Sequence, residues 1–286
     1  MSRLFHRLGA RAIRATLFVD RAFRRFDQAR SLVITALASD GVLEAYNDLT
    51  YGATPVYNAD SATFRSRLFN WEADLVARVF PEPPARILIG GAGGGREAFD
   101  LAARGYQVTA FEPSLVLARS MRARVEKTGA AVEPLLGRYE TLPRLRCIDT
   151  DEEIDLAQRE PYDAAMLGWS SFSHIRTSSA RIATLKAFAG VTKGPIAVSF
   201  FLAPDTSRPH HWISRLTERW GLRSGGDSFT PHIGFFHLSS KEELAAEVEA
   251  AGLEVVDVSY DDTDGHWPWI AVRSRRQGSS SGSMSD

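Results

Sequence analysis

The stretch Arg86-Ile-Leu-Ile-Gly-Gly-Ala-Gly-Gly-Gly-Arg-Glu-Ala-Phe99 decides the fold. Three apolar residues in a row, two of them β-branched, suit a buried strand, and the glycines behind them break it into a turn that opens a helix. Within the turn Gly91, Gly93 and Gly95 make a GxGxG pattern. Glycine suits such a turn because its backbone angles are costly for other residues, and because missing side chains let a ligand approach the main chain. The helix that follows directs free N–H groups and a partial positive charge at an anionic group.

Outward from this turn, the run Tyr106-Gln-Val-Thr-Ala-Phe-Glu112 reads as the next strand and ends in a carboxylate, followed by Pro113 and Ser114. An acid at that strand end is placed to accept both hydroxyl hydrogen bonds of a ribose. From Arg86 onward short apolar runs alternate with helical stretches, which predicts βα units and a mainly parallel sheet. Strands are expected near 86–90, 106–112, 131–135, 162–168, 194–202, 253–260 and 267–273. Ser239 and Ser240, three residues before Glu242 and Glu243, predict a capped helix start, and Gly252 its end. An insertion rich in Pro, Gly, His and aromatic residues spans 203–238.

The order of strand, glycine turn, helix, strand and terminal acid resembles the class I S-adenosylmethionine-dependent methyltransferases over roughly residues 86 to 273. The resemblance implies a Rossmann-like α/β fold: a seven-stranded, mainly parallel sheet with an antiparallel last strand and helices on both faces, here with a helical N-terminal addition. The methyltransferase domain would span 81–274, behind an N-terminal helical and lid segment at 1–80. By the same resemblance Gly91, Ala92, Gly93 and Gly95 would lie against the amino-acid part of S-adenosylmethionine, and Glu112 with Pro113 would hold the ribose. Arg138 and Tyr139 fall where the family lines the adenine, and Leu167 and Gly168 where the fourth strand meets both substrates. One departure stands out: the acid that the family often carries two residues before the first motif glycine is Ile89 here.

Six of the seven histidines and five of the six tryptophans fall after residue 160, so the acceptor pocket is expected between the loop at 168–176 and the insertion. Methyl transfer from a sulfonium needs little acid–base work beyond positioning, but a hydroxyl acceptor profits from a base. His174 is the first candidate and His237 the second; each also reads as a hydrogen-bonded structural histidine. Trp169 is expected at the acceptor, under a lid carrying Tyr46, Tyr51 and Tyr57. No metal is expected, because His210, His211, His232 and His237 show no companion ligand spacing. Two other readings share the glycine turn. A nicotinamide or flavin oxidoreductase expects GxGxxG, where the sixth position counted from Gly91 is Arg96; a non-catalytic cofactor-binding protein would act through its N-terminus.

That N-terminus is distinctive. Residues 1–30 hold eight arginines and two aspartates, a charge of +6, while the whole chain of 286 residues carries −1. Its apolar residues recur at helical spacing, which suits an amphipathic helix on a membrane surface, on an acidic partner, or simply packed on the domain. The near-neutral balance elsewhere speaks against a nucleic-acid partner and for a small-molecule acceptor. With one cysteine, Cys147, no internal disulfide can form and a reducing cytoplasm is the expected setting. The tail 275–286 is too polar to fold and is expected to be disordered.

Overall fold

The structure, a computed structural model, describes residues 2–65, 67–204, 218–221, 225–263 and 266–275, with side chains from Ile13 onward. His210, His211 and Trp212 of the insertion and the tail from residue 276 lie outside the described residues.

Before the first strand run four helices: α1 (Ser2–Leu37), α2 (Asp40–Ala53), α3 (Ala62–Arg65) and α4 (Asn70–Val79). Strand β1 (Arg86–Gly90) then enters the core with Ile87, Leu88 and Ile89 fully buried. Alternation sends these side chains to opposite faces. Leu88 packs with Phe111, Leu135 and Phe188 on one face, while Ile87 and Ile89 pack with Trp71, Leu75 and Phe99 on the other. Each face is covered by helices, so one apolar strand organises two hydrophobic layers.

After the turn come α5 (Arg96–Ala103), β2 (Gln107–Glu112), α6 (Leu115–Thr128) and β3 (Val132–Leu136), followed by two short strands, β4 (Arg144–Cys147) and β5 (Glu153–Asp155). Next are β6 (Ala164–Leu167), α7 (Ser178–Val191), β7 (Ile196–Ser199) and β8 (Phe201–Leu202). The chain closes with β9 (Asp227–Thr230), β10 (Gly234–Ser239), α8 (Lys241–Ala250), β11 (Leu253–Ser259) and β12 (Trp269–Ser274).

The main sheet runs β11-β12-β7-β6-β1-β2-β3-β4-β5. All seven expected strands are in it, and β12 runs antiparallel to both of its neighbours, β7 and β11. The sheet is nevertheless nine-stranded, because β4 and β5 add an antiparallel edge beyond β3. On either side of β1 the strand order diverges, toward β2 and toward β6, which opens a crevice at the carboxyl ends of these strands.

The strand expected over 194–202 divides at the buried Phe200. Its second part, β8, leaves the main sheet and pairs with β10, which in turn pairs with β9. This small sheet carries the N-terminal helices. Leu43 of α2 packs on Phe229 and Phe235, with Ile34, Ala38 and Tyr46 around them. Asn47 mimics a strand neighbour: its Oδ1 accepts from the Phe235 N–H at 2.9 Å and its Nδ2 donates to the Phe235 carbonyl at 3.1 Å. Helix α2 is thereby fixed over the crevice.

Helix α8 starts where its sequence predicts, with the Ser240 hydroxyl accepting from the Glu243 N–H at 3.1 Å. The Glu243 carboxylate does not reach back to the cap but turns to the buried Arg181 and to His237. Among the described residues no helix is long and apolar enough to cross a membrane.

Candidate functional site

The glycine turn lies at the mouth of the crevice. Gly91 and Gly93 have φ of 65° and 54°, left-handed values that favour glycine. A Cβ at Gly91 would stand 2.6 Å from the Ser171 Cβ and from the Tyr139 hydroxyl, so the turn is packed too closely for any side chain. Gly95, at φ 84°, caps α5 and backs onto Met121 rather than the cavity.

Glu112, at the carboxyl end of β2, accepts from the Gly93 N–H at 2.9 Å and from the Ser114 N–H at 3.0 Å. It is only 6% exposed. Burial pushes its carboxyl up to about 7, even though two backbone donors favour the charged form. Each carboxylate oxygen keeps acceptor capacity beyond the one backbone bond it makes.

In front of these groups is a cavity of about 390 Å³, a volume within the range of small-molecule sites. Gly91, Ala92, Gly93, Glu112 and Pro113 form its floor, and Tyr139 and Trp169 its sides. Tyr51 and Tyr57 line it from the N-terminal segment. Tyr46 does not reach the cavity: its hydroxyl donates to the Pro231 carbonyl at 3.1 Å and its ring lies on Phe229. Leu167 is buried in the core beneath, and Gly168 abuts the Glu97 carboxylate. Arg138 lines the rim, where its guanidinium pairs with Asp48 and Glu44 of α2 and so ties the helix to the loop after β3.

His174 sits at the end of a short turn after β6 whose entry, Trp169 and Ser170, has positive φ at both residues, a strained backbone of the kind found at functional sites. The His174 Nδ1 is 2.7 Å from the Phe235 carbonyl oxygen, which can only accept. The proton therefore sits on Nδ1, and Nε2 is left to accept the Tyr51 hydroxyl at 2.8 Å. Burial holds His174 below the usual histidine range, so it is neutral at pH 7. Burial also lifts the Tyr51 phenol well above its ordinary range, so Tyr51 stays protonated and donates. Both side chains line the cavity.

His237 has a different place. Its ring lies between Asp227, 2.9 Å from Nδ1, and Glu243, 3.0 Å from Nε2, fully buried and off the cavity. Burial disfavours its charge, but the two carboxylates outweigh that and raise its pKa. It acts as a structural cation that joins β9, β10 and α8.

No family model matches the chain, and no curated protein matches it in sequence. In structure it resembles the CcbJ methyltransferase from Streptomyces caelestis, with a TM-score of 0.55 and 17% identity over 79% of this chain and 98% of that one. The 1,6-didemethyltoxoflavin-N1-methyltransferase of Burkholderia thailandensis gives 0.54 at 17% identity, covering 83% and 91%. The 4+2 cyclase SpnF gives 0.53 at 16%, covering 82% and 96%. The chain has the class I S-adenosylmethionine-dependent methyltransferase fold. At these identities the likeness speaks for the fold alone.

Within this fold, three residues beyond the expected site reach the cavity. Phe64 of α3 and Trp267 join Tyr57 and Trp169 in an aromatic wall, with ring centroids 6.1–6.4 Å apart. Glu97, in the first turn of α5, is a buried acid at the cavity edge. An acid directly after a glycine turn that opens a helix was the available signal for Glu97. Trp267 carried one as well, in the Trp267-Pro-Trp269 pair, which reads as core packing or as a stacking surface for an acceptor ring; Phe64 reads only as one of the aromatic residues before the core.

Proposed function

We propose that this protein is an S-adenosylmethionine-dependent methyltransferase acting on a small molecule, and that the acceptor atom is a hydroxyl oxygen. The observation that carries the cofactor reading is Glu112, held on the glycine turn and facing the cavity in a methyltransferase fold. Support for the ligand class comes from the Burkholderia neighbour, which has S-adenosylhomocysteine bound. Once bound, the cofactor supplies a methyl group on a sulfonium that departs as a neutral thioether. The protein's part is to align the acceptor, exclude water with α2 and the aromatic wall, and accept one proton.

His174 and Tyr51 are placed for that proton. The acceptor hydroxyl donates to the Tyr51 oxygen while the Tyr51 proton passes to the His174 Nε2, which is neutral and free to receive it. Calorimetry against S-adenosylmethionine, S-adenosylhomocysteine and NAD tests the cofactor reading. Binding of both adenosyl ligands and not NAD is expected; the reverse would establish the oxidoreductase reading. A non-catalytic cofactor-binding protein is the second alternative. It predicts adenosyl binding without transfer of a labelled methyl group to any acceptor.

We also propose that α1 docks on an anionic lipid surface. At helical spacing Arg14, Arg21, Arg24 and Arg25 fall on one side, and Val19, Phe23, Phe26, Val33 and Leu37 on the opposite one. Phe23, Phe26 and Leu37 are 65%, 64% and 76% exposed. Full-length protein should sediment with vesicles containing phosphatidylserine at low salt and release at high salt, whereas a chain lacking residues 1–30 should stay in the supernatant. Equal sedimentation of the two would refute the proposal.

A further inference from the structure

Behind the glycine turn one buried guanidinium is shared by two buried carboxylates. Arg96 is fully buried, and its guanidinium donates to the Glu72 Oε1 at 2.6 Å and the Glu97 Oε1 at 2.7 Å. Glu72, also fully buried, takes a further hydrogen bond from the Phe69 N–H at 2.8 Å. Arg96 stacks on the Phe69 ring, 3.8 Å from its centroid. Two carboxylates thus share one guanidinium out of water.

The two acids differ in their surroundings. Glu72 is enclosed by protein donors. Glu97 is 3% exposed and lines the cavity, its carboxylate against Gly168 at the end of the strand beside β1. No described residue donates to its Oε2. With one oxygen on Arg96 and the other at the cavity, the carboxylate has acceptor capacity for a second cationic donor. Its charge shows on the neighbour: burial, with Glu97 adding repulsion, pushes Glu72 up to about 7 in spite of Arg96.

Resting on the methyltransferase reading, we propose that Glu97 is the carboxylate that receives the ammonium group of the bound cofactor's amino-acid arm, with Arg96 and Glu72 as the rigid support that aims it. The ammonium supplies a second positive charge and a donor for Oε2. A carboxylate at this edge also leaves Glu112, across the glycine turn, for the ribose, so the two acids divide the two ends of one ligand.

The test compares two probes on the full chain: S-adenosylhomocysteine, which has the amino-acid arm, and 5′-methylthioadenosine, which lacks it. Glu97→Gln should weaken the first by about 10- to 100-fold, the loss of a charge-assisted hydrogen bond, and change the second by less than about threefold. If Glu97→Gln does not fold, Glu97→Asp, one methylene shorter, should show the same selective loss. Equal loss for both probes, or no loss for either, would overturn the assignment and leave Glu97 as part of the core. Wild-type protein that binds neither probe would fail the methyltransferase reading itself, a result distinct from both.

Discussion

Replacing His174 with Gln lowers the turnover of methyl transfer by about 100-fold or more while cofactor affinity stays within about twofold. Glutamine keeps a donor for the Phe235 carbonyl and an acceptor for the Tyr51 hydroxyl, but it cannot hold a proton. Tyr51→Phe breaks the same path one atom earlier and should cost a similar factor. Because the two side chains act as one relay, the double variant should be little worse than either single one. Because burial depresses the His174 pKa, the neutral base persists as the pH falls, and wild-type kcat should decline only below the ordinary histidine midpoint of about 6.5. Full turnover in Tyr51→Phe with loss in His174→Gln would mean that the acceptor meets His174 directly. Full turnover in both would mean catalysis by alignment alone.

What the sequence could and could not reveal follows from the range of the forces involved. The β1 strand, glycine turn and Glu112 were legible because each depends on local chemistry: an apolar run, positive φ, an acid at a strand end. Strands β4 and β5 were not, since Arg-Leu-Arg-Cys and Glu-Ile-Asp are short, polar edge segments with only Leu145 fully buried. Tyr51 was legible as a lid residue but not as the partner of His174, 123 positions away, because that contact needs α2 seated on β10 by Asn47 and Phe235. The position of His174 after the fourth strand pointed to the cavity. His237 carried no comparable signal, and only the fold shows the two carboxylates that hold it.

The unusual position at residue 89 follows the same logic. Ile89 is fully buried among Trp71, Leu75 and Phe99, so an acid there would disrupt the helix side of the core. The chain instead has a carboxylate beyond the glycine turn, at Glu97, where Arg96 can hold it. Its partner Glu72 comes from α4, ahead of the sheet in sequence, so the support of this carboxylate is drawn from the N-terminal segment.

Replacing Glu112 with Ala weakens S-adenosylhomocysteine by about 1.5–3 kcal/mol, roughly 10- to 150-fold, because two ribose hydroxyls lose a charged acceptor. The same change leaves the Gly93 and Ser114 N–H groups without their partner and loosens the turn. Glu112→Gln separates the two effects. It retains an acceptor and the packing, so a loss that persists in it belongs to the carboxylate charge. The pH dependence has a definite sign. Free Glu112 sits near 7, above its ordinary carboxyl value, and ribose binding favours the ionised form. Affinity is therefore full above pH 7 and falls as the pH drops, approaching tenfold per unit below it. Stability runs the other way: a carboxyl whose pKa is raised by folding contributes stability below its unfolded value and loses it as pH rises through 7. The ligand-free wild type should melt at a lower temperature at pH 8 than at pH 5.5, with Glu72 adding in the same direction. Glu112→Gln should recover part of that loss at pH 8 while binding poorly. A variant that binds as tightly as wild type and follows the same pH curve would remove Glu112 from the site.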